Sequence, residues 1–380
     1  MKPEYMKYLI FPLLFILNLS AFSQKKRPSE YGIKIGILPD GKLDAITDVP
    51  GVKVGHFTLH QGKDIHTGAT AILPHSGNIF NEKIPAAIFV GNGFGKLAGY
   101  TQVEELGTLE TPILLTNTLA VAQGMEALID YTFSFPENEN VRSVNTVVGE
   151  TNDGGLNDIR RRVLTRENMM EALKNAKTGK VEEGNVGAGA GTMCFGFKGG
   201  IGTSSRVLPK SKGAYTVGVL VQSNFGGVLK IAGMEVGVAL GKHKYTDILK
   251  DYEDDGSCMM VVATDAPLDG HSLKRLAARA MLSLGRTGGV AAHGSGDYVI
   301  AFSTAESVRI KANDKDMLET HTTLKSQELD ILFEAVIEAT EEAIINSLFA
   351  AETIEGHRVK AEALPVEKVL EIIKKPPFGG

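Results

Sequence analysis

"DGSCMMVVATDAPL", residues 255–268, joins two kinds of chain. Glu253, Asp254, Asp255 and Gly256 form an acidic, turn-prone run, and Cys258 to Thr264 form an apolar or near-apolar one closed by Asp265-Ala266-Pro267. An apolar run of that length between turn residues reads as a strand buried on both faces. Ser257 is the last hydroxyl before it. A serine hydroxyl needs a base to attack a carbonyl at neutral pH, and one way to supply it is to cut the preceding peptide bond and expose the serine's own α-amine. That amine titrates near 7.7–8 when unperturbed, close to the best value for a general base. The chemistry asks for a small residue before the nucleophile, an accessible loop and a rigid strand after it. Gly256, the polar 243–256 stretch and residues 258–264 supply all three. An ordinary strand start fits the same residues, so this stretch alone leaves both readings open.

Outward from this strand the pattern is mixed. Asp44–Leu59 turns at Pro50-Gly51 and then alternates as a strand, and GATAILP, AAIFVGNG, the run from Ile113, VNTVVGET, AYTVGVLVQSN and DYVIAFST also read as strands. Leu119, Met125, Leu128 and Ile129 mark a helix, and 166–179 reads as another stopped by Gly179. A helix from an N-cap at Ser272 to Gly285 carries the stripe Leu273, Leu276, Ala277, Ala280, Met281 and Leu284. The longest helix follows Ser326, with Leu329, Leu332, Phe333, Val336 and Ile337 on its buried side. Buried sheet between helices is the expected architecture.

The composition narrows the function. Net charge is −5 and Trp is absent, with no cluster of Lys and Arg among aromatics, so nothing invites nucleic acid. Lys2 and Lys7 flank the start of an apolar run, YLIFPLLFILNLSAF, with Ala21 and Ser23 at the −3 and −1 positions of a cleavage site. This reads as a secretory signal over residues 1–23, with an uncleaved anchor as the alternative, and the expected location is periplasmic or secreted. Two cysteines, Cys194 and Cys258, stand in apolar contexts as buried thiols and cannot build a zinc site alone. GNVGAGAGT (184–192) lacks the spacing of a dinucleotide site and reads as a close-packed turn. In AAHGSGDY, Ser295 and Asp297 lie two apart and share a face if extended, with His293 beside them. No metal and no organic cofactor is expected.

Several long blocks carry a resemblance beyond any single motif. ITDVPGVKVGH, NGFGKLAGYTQVEELGTLETPILLTNT, VGETNDGGLNDI, NVGAGAGTMCFGFKGGIGTSSR, VGVLVQSNFG, DGSCMMVVATDAPL and GRTGG with HGSGDYVIAFST occur in this order across about residues 44–350. Together they resemble the autoproteolytic aminopeptidases, the L-aminopeptidase D-amidase/D-esterase and β-peptidyl aminopeptidase group. The resemblance implies an α/β, four-layer αββα sandwich like that of N-terminal-nucleophile hydrolases, with connectivity shared with ornithine acetyltransferases. It implies self-cleavage between Gly256 and Ser257 into an α chain, 24–256, and a β chain, 257–380, of one catalytic domain. The pieces stay associated and assemble further, commonly as tetramers of αβ heterodimers.

The matching blocks assign roles. Ser257 is the nucleophile, and Asn224 is the amide donor near the oxyanion. Ser295 and Asp297 are the pair that orients the nucleophile, although β-peptidyl members carry the longer Glu at the acid. Glu150 is the acid that holds the substrate's ammonium. One departure is Gly155, where the family commonly has an aromatic. The expected substrate is a small peptide or an amino-acid amide or ester, releasing an L-α, D-α or β first residue. The alternatives are an acetyltransferase on the same scaffold and a periplasmic small-ligand binding protein.

Overall fold

The computed structural model describes residues 25–243, 256–312, 316–318 and 320–374. The expected signal segment and most of the 243–256 stretch lie outside these residues.

Two sheets form the centre of the molecule. The smaller is built from β1 (Lys53–Gln61), β2 (Ile65–Leu73), β4 (Ile113–Asn117) and β5 (Val147–Thr151), in the order β1-β2-β4-β5. The larger has the order β3 (Glu82–Gly93), β9 (Gly296–Ser303), β8 (Ser257–Thr264), β7 (Thr216–Asn224) and β6 (Gly200–Val207). Two short pairings at Thr108–Leu109 and Ile310–Lys311 extend it beyond β3. Each outer face carries two main helices. Val121–Phe133 and Arg166–Lys174 cover the smaller sheet, and Gly270–Arg286 and Asp330–Ala350 cover the larger.

The periodicity of β8 shows how one strand serves two cores. Met259, Val261 and Ala263 face the smaller sheet and meet Val54, Ile72, Ile113 and Val147. Cys258, Met260 and Val262 face the helices and meet Leu276, Ala280 and Val336. A strand buried on both faces has no polar side, which is why its sequence is a continuous apolar run. The αββα expectation is therefore met. Both cysteines are buried thiols.

Some local expectations shift. The helix from residue 270 is capped by Asp269, whose side chain accepts from Ser272 N–H at 2.8 Å, so Ser272 is the third residue inside it. The helix from Arg166 ends at Lys174, before Gly179, because Lys177 leaves it to pair with Val54. In Val121–Phe133 the buried side is Gly124, Ala127 and Leu128, while Met125, like Leu119 just ahead of the helix, is exposed.

The largest departure is the helix Asp330–Ala350, which is buried almost all round and takes Glu338 and Glu342 in with it. Arg206 on β6, fully buried, meets both, Nε to Glu338 at 3.1 Å and Nη1 to Glu342 at 2.7 Å. It also reaches Asp40 at 3.0 Å and donates to the Ile35 carbonyl at 2.7 Å. Glu338 accepts from the Ile37 and Leu38 N–H groups at 2.7 and 3.0 Å. One guanidinium thus ties the N-terminal lead-in, the edge of the large sheet and the long helix together. Truncating it leaves buried carboxylates without their cation, so Arg206→Met is expected to cost about 3–5 kcal/mol. Chemical denaturation checks this, as a fall in the transition midpoint with an unchanged slope.

Candidate active site

The start of β8 is set by its two neighbours. Ser257 pairs with Asn224 at the end of antiparallel β7 and with Gly296 at the start of parallel β9. A parallel pair needs a long crossover, here the helix Gly270–Arg286 on the outer face. This topology brings three separate blocks of sequence to one sheet edge.

Ser257 is buried, and its Oγ donates to the Gly256 carbonyl at 2.7 Å. The Gly296 N–H donates to Ser257 Oγ at 3.2 Å and to the Gly256 oxygen at 3.3 Å. The hydroxyl therefore lies against the carbonyl of the bond before it, and that carbonyl oxygen is met by an O–H and an N–H. A side chain at Gly296 would crowd the Phe94 carbonyl, 2.9 Å from a built Cβ, and the Tyr298 ring at 3.1 Å.

Ser295 and Asp297 do share a face, with Ser295 Oγ donating to Asp297 Oδ1 at 2.8 Å. Alternation puts Asp297 on the helix side, next to Cys258, while Ser257 follows Met259 toward the smaller sheet. Among the described residues no hydrogen bond joins Ser257 Oγ to either. The link runs through backbone, by the N–H of Gly296, the residue between Ser295 and Asp297. Burial pushes the Asp297 carboxyl up to about 6 against the opposing pull of the Ser295 hydrogen bond and the nearby Cys258 N–H, and its Oδ2 is buried with no partner among the described residues. His293 is exposed beside the Phe94 ring, so no serine–histidine–aspartate relay forms here.

Asn224 is fixed at both ends of its amide. Oδ1 accepts from Met193 N–H at 3.0 Å, and Nδ2 donates to the Asn152 carbonyl at 3.0 Å. It borders a cavity of about 350 Å³ that Gly256 and Gly155 also line. Of the glycines of 184–192, Gly191 lines it. A Cβ on Gly189 would collide with Ile201 N, and one on Gly191 with the His66 carbonyl, so the close-packed turn is confirmed.

Glu150 is buried rather than solvated. Its Oε1 accepts from Lys96 N–H at 2.9 Å, and its Oε2 accepts from Thr118 Oγ1. It stands near Tyr298, whose phenol burial and the charges of Glu150 and Asp297 push upward in pKa. Glu150 does not line the cavity beside Gly256. Sequence reasoning missed Met193, which holds Asn224, and Arg358, which lines the cavity from a distant hairpin. The glycine run before Met193 was the signal for the first, and the second has none.

The chain matches the model of peptidase family S58 over residues 44–361. It is 37% identical to a beta-peptidyl aminopeptidase from Sphingosinicella microcystinivorans, covering 97% of this chain and 98% of the relative. Among solved structures, a protein from Pyrococcus horikoshii OT3 superposes with TM-score 0.85 and 48% identity over 92% of this chain and 99% of its own. A Burkholderia sp. beta-aminopeptidase gives 0.83 and 37% over 92% and 100%. The L-aminopeptidase D-Ala-esterase/amidase from Ochrobactrum anthropi gives 0.83 and 34% over 92% and 98%; it is described as a prototype for the serine aminopeptidases and a variant of the Ntn hydrolase fold.

The Asp297 environment gives a direct check. A carboxyl raised to about 6 keeps its proton at pH 5 and is charged at pH 7, whereas ordinary aspartates near 3.8 are already charged at pH 5. Burial pushes Asp153 up to about 6 as well, so carbon-detected NMR of the side-chain carboxyls of the Ser257→Ala protein is expected to show two aspartate resonances titrating near pH 6, of which Asp297→Asn removes one.

Proposed function

We propose, from the premise that this chain belongs to peptidase family S58 and is an aminopeptidase acting on peptide and amide bonds, that Ser257 is both the agent of self-cleavage and the nucleophile of the mature enzyme. The observation that carries this is the position of Ser257 Oγ, 2.7 Å from the oxygen of the Gly256 carbonyl, which the Gly296 N–H also polarises.

The first reaction is an N-to-O shift. The Oγ–C bond forms, the Gly256–Ser257 C–N bond breaks, and the hydroxyl proton ends on the departing nitrogen. Water then hydrolyses the ester, leaving a Gly256 carboxylate and a free Ser257 amine. In the mature site the same hydroxyl attacks the carbonyl after the substrate's first residue. The new α-amine takes its proton, being near 7.7–8 when unperturbed. The Ser295–Asp297 pair, one residue along from the new terminus, positions that amine, and the unpartnered Asp297 Oδ2 is an acceptor available for it. Asn224 Nδ2 gives one hydrogen to the Asn152 carbonyl, and its second is the proposed donor to charge developing on the carbonyl oxygen. Hydrolysis of the acyl-enzyme completes the cycle. No step calls for a metal or an organic cofactor.

Glu150, buried on the neighbouring sheet, is the proposed holder of the substrate's ammonium. The basic, apolar and small-residue pattern of residues 1–23 supports export to the periplasm or beyond, and the resemblance supports assembly of αβ heterodimers into tetramers. Family membership sets aside the binding-protein reading, and a serine at 257 speaks against the acetyltransferase.

Denaturing electrophoresis tests the reading. The purified wild type is expected to run as two bands and Ser257→Ala as one; a single unchanged band in both would overturn self-processing. Asn224→Ala is expected to slow hydrolysis of amino-acid anilides by about 10²–10³, the usual cost of one oxyanion donor. Stopped-time assays check this, and an effect under about threefold would remove Asn224 from that role.

A further inference from the structure

The cavity beside Gly256 holds a charge that the reaction above does not use. Arg358 is the charged residue of its lining among the described residues, and no carboxylate lines it. Arg358 lies in the hairpin that pairs Ile354–Glu355 with Lys360–Ala361. That hairpin is pinned to the cavity wall: Arg358 N–H donates to the Gly155 carbonyl at 2.9 Å and His357 N–H to that of Leu156 at 3.0 Å. The backbone under the guanidinium is therefore fixed, while the side chain is exposed.

The neighbouring carboxylates are engaged elsewhere. Glu355 meets Lys63 at 3.2 Å, Asp64 meets His357 at 3.4 Å and Glu362 meets Lys242 at 3.8 Å. Arg358 has no ion pair among the described residues. Arg160, Arg161 and Arg162, all exposed, follow directly on Ile159 of the same wall, in a chain whose net charge is −5. Gly155 keeps the approach open. A Cβ there would stand 3.5 Å from Val359 and 3.7 Å from the Met193 sulfur, so a larger side chain would grow into the cavity between them.

Gly256 fixes which part of a substrate this cavity takes. It is the acyl residue of the bond that Ser257 attacks in the intact chain, and it lines the cavity. Once that bond is cut, the first residue of a substrate replaces it. We infer that Arg358 is a specificity residue, and that the enzyme selects substrates whose first residue carries a free carboxylate, as in α-linked or β-linked aspartyl compounds. A guanidinium meets such a carboxylate with a planar fork of donors, a charge-assisted pair stronger than one between neutral groups. The inference rests on the assignment of Ser257 as nucleophile.

The test uses the mature enzyme with β-alanyl, L-alanyl, β-linked L-aspartyl and α-linked L-aspartyl anilides. The β-linked aspartyl compound differs from the β-alanyl one by a single carboxylate. The wild type is expected to hydrolyse at least one aspartyl anilide, and the active arm identifies the linkage. Arg358→Ala is expected to lower kcat/KM for that substrate at least tenfold, mainly through KM, and to leave the alanyl anilides within about twofold; Arg358→Lys recovers part of the loss. Hydrolysis of alanyl but of neither aspartyl anilide overturns the inference alone, as does an equal or absent effect of Arg358→Ala on both classes. An uncut chain inactive on all four overturns the assignment of Ser257, and the inference with it.

Discussion

The parallel pairing of β8 with β9 is the constraint on which the site depends. It sets Ser257 opposite Gly296, so the first N–H of one strand points at the hydroxyl and the carbonyl that begin the other. Parallel neighbours cannot be joined by a hairpin, so the helix Gly270–Arg286 must cross the outer face and bury its apolar stripe there. The antiparallel pairing on the other side then brings Asn224 level with Ser257. Three residues spread over more than seventy positions, Asn224, Ser257 and Gly296, meet because two strands begin at the same height.

Burial does the electrostatic work at this edge. Asp297 is taken out of water by the helices over the large sheet, and that desolvation raises its pKa despite the Ser295 hydrogen bond and the nearby Cys258 N–H, which oppose the shift. A carboxyl near 6 with one buried oxygen unpartnered is a group kept ready for a donor. The same physics is resolved differently at Arg206, where several carboxylates share one cation and the result is anchorage.

Much of this was legible in the sequence because much of it is local. The strand expected over Cys258–Thr264 is written as an apolar run between turn residues, and the observed strand differs only in taking in Ser257 at its start. The Ser295–Asp297 contact follows from spacing alone. The cap of the following helix was misplaced by three residues because Asp269 and Ser272 both suit a cap and only geometry separates them. The long helix was underread for a different reason. Its buried carboxylates look like a solvated face until Arg206, more than a hundred residues earlier, comes to meet them. Arg358 was invisible on the same grounds, since it reaches the cavity by a hairpin that no motif marks. His293, adjacent in sequence to the working pair, turns out of the site because the strand starts only at Gly296.

The strand order has one more consequence. β8 lies between β7, which precedes the proposed cut, and β9, which follows it, with eight residues of β8 in register with each. Two polypeptides made by a break at Gly256–Ser257 would thus be woven through one core and have no cleavage plane between them. Folding as one chain keeps the β7–β8 pairing intramolecular across residues 225–256, at a closure entropy that grows only slowly with the length of the connection, whereas the same pairing between separate chains depends on their concentration. The finished molecule would then carry a history: it can hold a shape that its own fragments, once unravelled, have lost the means to find again.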